Sequence, residues 1–388
     1  MTRILKRVGL RVAICGRQCA ALVATLLITA SAQAQGALGN QGFGYPTGQL
    51  SAAALGQGGS NAEADPASPI NPAAIALNGR YSVVMQFEPE FRATKVDGTT
   101  SANTVVRFPG FTATGRYARF TVAASFSTLL DRTWVNSYSD SVFVGGEWER
   151  SNVRTGSNGA ISDSRLAVAY VVRPRIRVGL ALHGLTGENR TEFRRTFTDT
   201  SGLGGLAQSA VLNFAGRAIS GGVVVHPRDG LVLAASMRIG GDISARLNGV
   251  TAGEASVPTR WGASASWLAL PGATLNARYD RTLWSDLEGL GSSLVFAFDA
   301  TEYGLGADLV GPRLGGTPSI IRLGSRSRTL PFGVNGDRVG EKALSFGVGL
   351  PLARARGQVD LALQRTWRES GPATERSWFL SIGIGIRP

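Results

Sequence analysis

Two histidines, two cysteines and a surplus of arginine are the side chains from which any chemistry in this chain must be built. Hydrolysis by a serine nucleophile needs a histidine beside it and an acid to orient the ring. His183 is followed by Gly184-Leu185, and His226 stands in a tight turn before Pro227. Neither has a partner close in sequence, so one could come only from a neighbouring strand. His183 reads as an inward-facing residue and His226 as a turn residue, and no catalytic residue is assigned. Cys15 and Cys19 both lie in the first thirty-four residues. If these are removed, no disulfide, thiolate metal site or cysteine nucleophile remains. Two histidines without cysteine do not make a transition-metal site either, and no cofactor is expected. Gly304-Leu305-Gly306 is a fragment of a nucleotide-loop pattern. It alternates with Tyr303 and Leu309, so its glycines read as small residues on one face of a strand.

The elements that would position these residues are strands. Residues 1–34 have the form of an export signal. Arg3, Lys6, Arg7, Arg11 and Arg17 make a basic start, Ala20 to Ile28 is apolar, and Ala32-Gln33-Ala34 is a small-x-small cleavage pattern. The apolar stretch is too short to anchor the chain, since a bilayer needs about 20 residues. Without this segment the formal charge of +13 falls to +8. A basic exported protein does not point to nucleic acid; anionic headgroups and carboxylate ligands are the more natural counterparts. Beyond the signal no run of eighteen apolar residues occurs, which excludes helical membrane spans, yet 43% of the residues are hydrophobic. Apolar residues spread one in two along many strands reconcile the two facts.

The alternation is plain in the last segment. Trp378, Leu380, Ile382, Ile384 and Ile386 interleave with Ser377, Phe379, Ser381, Gly383 and Gly385. Since successive strand side chains point to opposite faces, one face is apolar and the other mostly small or polar. The same rule holds around residues 81–88, 120–127, 176–183, 343–350 and 359–364. Fourteen such segments are expected, starting near residues 80, 102, 119, 161, 175, 209, 230, 258, 273, 293, 317, 342, 357 and 376. Tight links at Tyr117-Ala118, Val172-Arg173-Pro174, His226 to Asp229, Pro271-Gly272, Gly311-Pro312 and Leu352 to Gly357 all follow even-numbered segments. The longest links, 132–160 and 198–208, follow odd ones, with 138–155 taken as a structured outer loop. This parity is that of an outer-membrane barrel with short periplasmic turns. The fold expected is all-β: an antiparallel transmembrane barrel of about fourteen strands over 80–388, rather than a soluble sandwich, which would need a core for every apolar face and protected edges.

Residues 35–79 do not alternate. They are rich in Gly, Ala, Ser, Asn and Pro and read either as a loose tail or as a small plug packed inside the lumen. Asn71-Pro72 starts a turn, and Pro72 would open a short helix through Ala73, Ala74 and Ile75. The run from Leu55-Gly56-Gln57-Gly58-Gly59 through Ala62, Asp65, Ala67 and Ser68 to Asn71-Pro72-Ala73-Ala74 resembles the N-terminal hatch of the FadL family. That family comprises outer-membrane transporters of long-chain fatty acids and aromatic hydrocarbons. The resemblance implies a signal peptide, a plug with an Asn-Pro-Ala motif and a fourteen-stranded barrel. It covers the whole chain in architecture and about twenty residues in motif. Barrels of this kind usually end on an aromatic residue read by the assembly machinery, whereas this chain ends Ile386-Arg387-Pro388.

The function expected is diffusive uptake of a hydrophobic small molecule through a plugged barrel. A general porin, or a non-transporting structural or secretion-associated barrel, are the alternatives. Asn71, Pro72 and Ala73 would belong to the plug. Arg322, Arg326 and Arg328 share one strand face with Gly324, and Arg278 lies inward by the same count; these four could meet a ligand carboxylate or pair with lumen acids such as Asp280, Glu302, Asp308 and Asp360. Outer-membrane lipids including lipopolysaccharide, with Arg190, Arg194 and Arg195 near its phosphates, and the barrel-assembly machinery are the partners expected of a monomer.

Overall fold

The computed structural model describes residues 38, 44–47, 49–96, 99–197, 203–290, 297–314, 317–333, 336–352, 356–371 and 373–387. The export-signal reading falls on residues outside these. Fourteen strands form the wall: β2 (Tyr81–Val96), β3 (Thr99–Tyr117), β4 (Phe120–Asp131), β6 (Glu147–Arg173), β7 (Ile176–Phe197), β8 (Leu206–Arg228), β9 (Leu231–Leu247), β11 (Thr259–Leu270), β12 (Ala273–Leu283), β13 (Ala300–Leu314), β14 (Thr317–Thr329), β15 (Gly340–Leu352), β16 (Gly357–Ser370) and β17 (Ala373–Ile386). Each is antiparallel to its neighbours, and β17 closes on β2 in the register Trp378↔Phe91 and Ile386↔Val83. Closure leaves no edge, so each strand's backbone groups are paired on both sides where hydrocarbon offers no substitute.

Three further strands lie outside this count. β1 (Tyr45–Pro46) pairs with the end of β4. β5 (Trp134–Val144) forms a hairpin with the outer half of β6 across Gly145-Gly146, so residues 138–155 project from the wall without adding a rung to it. β10 (Val250–Ser256) folds back on β9 in the same way. The turns Ala118-Arg119, Pro174-Arg175, Asp229-Gly230 and Pro271-Gly272 share one rim, and the long connections share the other.

The outward alternation is as the sequence requires, with Leu180 73% exposed and Leu305 62% exposed among the apolar side chains of this face. Four local expectations need correction. The tenth wall strand begins at Ala300, not near 293, because Trp284–Leu290 winds into a 3-10 helix that tucks Trp284, Leu287 and Leu290 inward. Gly311-Pro312 is not a turn but a register shift inside β13, and the turn that follows falls outside the described residues. His226 is in β8 rather than in the turn, with its Nδ1 3.1 Å from Arg177 Nη1. The short helix expected to open at Pro72 is a 3-10 turn over Ala74–Leu77, two residues later than expected.

Candidate functional site in the barrel interior

Residues 49–78 fold into the barrel, and their local structure follows from small residues with polar staples. Ser51 caps the single-turn helix α1 (Ala52–Gly56), its Oγ accepting from the Ala54 N–H at 3.0 Å. The same hydroxyl donates to Asp65 Oδ2 at 2.6 Å, as does Ser68 Oγ at 2.6 Å, so Asp65 ties the two ends of the segment together. Asn71 donates from Nδ2 to the Glu63 carbonyl at 2.8 Å and to the Val223 carbonyl at 3.3 Å, while its Oδ1 accepts from Ala73 N at 2.9 Å. A proline after this asparagine leaves one N–H fewer to satisfy in a dry place.

The wall makes room for this backbone with inward-facing glycines. A Cβ on Gly179 would lie 2.5 Å from Ala73 N and one on Gly324 would lie 2.0 Å from the Gln57 carbonyl carbon. Gly304 and Gly306, set aside above as strand glycines, meet the same loop: their Cβ positions would fall 3.0 Å from Gly58 O and 2.5 Å from Gln57 O. Side chains complete the attachment. Asn276 donates to Gln57 Oε1 at 2.8 Å, Gln86 donates to the Leu50 carbonyl at 2.8 Å, and the fully buried Glu63 receives Arg260 and, at 2.6 Å, the Ser236 hydroxyl. The segment is therefore fastened to both sides of the lumen and separates two spaces. The space toward the long-loop rim, about 100 Å³, is lined by Leu50, Leu55, Ile70, Trp284, Phe379 and several arginines. The space toward the short-turn rim, about 520 Å³, is lined by Asp65, Asp308, Arg322 and Asp360 among others.

Arg278, Arg322, Arg326 and Arg328 all face inward, and each meets acids. Arg278 binds Glu302 and, at 3.1 Å, Asp280. Arg322 binds Asp360 at 2.7 Å and Asp308 at 3.4 Å. Arg326 and Arg328 both reach Glu341, at 3.3 and 2.7 Å. They belong to a charged belt that also contains the wholly buried Arg368, bonded to Glu375, to Glu90 at 2.9 Å and to Glu341 at 2.6 Å. Tyr45 is set into this belt. Its ring lies 4.5 Å beneath the Arg368 guanidinium carbon and 5.4 Å from that of Arg107, while its hydroxyl donates to Glu341 at 2.9 Å. Sequence reading misses Tyr45, because its partners stand on β3, β14, β15 and β16, far away in the chain.

Two features need the assembled wall to be seen at all. His183 has the partners it lacked in sequence: Nδ1 is 2.9 Å from Asp163 on β6 and Nε2 is 2.8 Å from Ser220 Oγ on β8. The order Ser–His–Asp is that of a hydrolytic triad. Here, however, Ser220 sits mid-strand, paired with Ala181 on one side and Arg238 on the other, so the sheet uses the backbone N–H groups that an oxyanion hole would require. The arrangement orders the wall side chains. Next to it, opposite His183, Arg165 is 3% exposed with no partner for Nε or Nη1 among the described residues.

The second is an inversion of face polarity. Within the apolar belt, Leu166, Leu182, Ile219 and Ile239 point out. A few residues further toward the long-loop rim, Ile161, Leu185, Phe214 and Ile243 point in and pack with Trp284, Leu287 and Phe332, whereas Asn158, Glu188, Arg217 and Asp242 point out. The outer half of the lumen is thus apolar on the side of β4 to β9, while the charged belt occupies the opposite side, reaching the same end of the strands on β15, β16 and β17. No carboxylate-rich group of the kind that holds a metal occurs among the described residues.

The architecture is a closed fourteen-stranded antiparallel barrel, apolar outside, with its own N-terminal segment folded inside. No family model matches the sequence, and no curated protein matches it. Solved structures do. A FadL homologue of Pseudomonas aeruginosa superposes with TM-score 0.62 at 12% identity, covering 89% of this chain and 99% of that one. The CymD monoaromatic hydrocarbon channel gives 0.56 at 14% identity (87% and 97%), and the toluene transporter TodX of Pseudomonas putida 0.55 at 11% (88% and 98%). The fold is that of FadL-type outer-membrane channels.

Proposed function

We propose that this protein is an outer-membrane channel for hydrophobic small molecules, long-chain fatty acids or hydrocarbons among them, with residues 35–79 as its plug. The observation that carries this reading is the apolar patch on one side of the outer lumen, above a backbone segment that is bonded to the wall on both sides. A general porin needs a continuous aqueous path, which the segment interrupts. A hydrophobic solute gains by leaving water for Leu50, Leu55, Ile70 and Trp284. An amphipathic acid would also meet Arg165, whose unpartnered N–H groups could receive a carboxylate. Two of the structural neighbours, a toluene transporter and a monoaromatic hydrocarbon channel, carry solutes of this class, which supports the reading.

Uptake into proteoliposomes tests the proposal. Wild-type protein should carry a long-chain fatty acid while passing little ionic current. Deleting residues 50–78 should raise the current and abolish the solute preference. A large current in the wild type would leave a porin. Arg165→Gln should reduce uptake of the acid relative to the corresponding alcohol by about tenfold, the loss of one charge-assisted hydrogen bond. Equal loss for acid and alcohol would remove Arg165 from the route.

A further inference from the structure

The outward face of β15, β16, β17 and β2 carries a feature that solute passage does not use. At the upper edge of the apolar belt one rung runs Leu344, Arg365, Trp378, Phe91, and the next runs Lys342, Trp367, Arg376, Ala93. Lys342 and Arg376 are exposed, and Lys95 follows one rung higher across from Thr374. The Arg365 guanidinium is held over Trp378 at 4.8 Å and Trp367 at 6.0 Å. None of Lys95, Lys342, Arg365 and Arg376 ion-pairs with a carboxylate among the described residues. The acid on the same outward face of these rungs is Glu369, beside Thr374. Directly below the Leu344–Arg365 rung lie Phe346, Leu363 and Leu380, the strip that faces hydrocarbon.

From this arrangement we infer a binding site for a phosphorylated glycolipid of the outer leaflet, resting on the reading of the long-loop rim as the outer one. Phosphate monoester oxygens would meet Lys342, Arg365 and Arg376, and the acyl chains would lie along the apolar strip. A guanidinium stacked on indole rings keeps its N–H edge directed at an anion and loses little freedom on binding one. Trp at this depth is the ordinary interfacial anchor, but three unpaired cations around it are not required for anchoring. Free phosphate would use only the cations; the adjoining strip selects an amphiphile. The other outer basic group, Arg154 opposite Arg194 on β6 and β7, stands beyond the polarity inversion with Glu188 and Glu192 on the same face, and has no apolar strip beneath it.

Native mass spectrometry of the protein in nanodiscs of zwitterionic lipid, doped with bisphosphorylated lipid A or its dephosphorylated form, tests the site. Wild type should retain the phosphorylated lipid, and the triple variant Lys342→Gln/Arg365→Gln/Arg376→Gln should retain about tenfold less or below. Arg154→Gln/Arg194→Gln should bind as wild type does, and Arg365→Lys, which keeps the charge and loses the stacked fork, should lie between. Undiminished binding by the triple variant, equal loss in the Arg154/Arg194 variant, or equal retention of the dephosphorylated lipid would each overturn the inference. Because all the altered side chains lie on the outside, fatty-acid uptake should be unchanged in the triple variant, so the solute reading and the lipid site can fail separately.

Discussion

Gly324→Val is expected to open the barrel to ions, raising single-channel current in a planar bilayer by roughly tenfold or more. The new Cβ would fall 2.0 Å from the Gln57 carbonyl carbon, 2.2 Å from its oxygen and 2.4 Å from Gly58 N, all backbone atoms that no rotamer change can move. Either β14 or the inner segment must shift. β14 is laddered to β13 and β15 along its length, whereas the loop at Gln57 is held by one side-chain bond from Asn276 and by short turns. The segment should give way, leaving a barrel of a size that encloses water when unfilled. Gly340→Val, at a position with nothing within 4 Å, is the matched control and should conduct as the wild type does. Equal currents in the two variants would mean that the segment does not limit conduction.

The second large effect is on stability. Arg368→Met removes the guanidinium that Glu90, Glu341 and Glu375 share and on which the Tyr45 ring rests, all without access to water. Breaking one partner out of a buried ionic group costs about 3–5 kcal/mol, because the remaining charges stay buried without compensation. Urea unfolding in lipid vesicles, followed by tryptophan emission, should show the midpoint falling with an unchanged slope. Adding Glu90→Gln and Glu375→Gln to Arg368→Met should recover part of the loss. A loss within about 0.5 kcal/mol would mean that water reaches the belt and screens it.

The wall was legible because its rule is local. The register of Trp378, Leu380, Ile382, Ile384 and Ile386 needs only the pleat and one apolar side, and the fourteen wall strands follow with short turns at one rim, while the other rim carries the long connections together with two-residue links after Val96 and Ser370. The error at residue 293 is of another kind. Trp284, Leu287 and Leu290 have helical spacing, but what draws them inward is an apolar patch contributed by β4, β6, β7, β8 and β9. The inward direction of Arg278, Arg322, Arg326 and Arg328 was also legible from alternation. So was their pairing with lumen acids such as Asp280, Glu302, Asp308 and Asp360. That Arg326 and Arg328 share Glu341, or that Tyr45 lies among the guanidiniums, was not, because Tyr45 and Glu341 are 296 residues apart.

The sequence by itself determined the alternation, the closed antiparallel wall that alternation permits, and a glycine-rich stretch able to approach other backbone closely. Only the tertiary structure decided which glycines receive which loop, which acid answers which arginine, and where outward and inward faces exchange polarity above the membrane. The physical reason is that pleating is set between adjacent residues, while the contents of a lumen depend on the curvature and stagger of all fourteen strands at once.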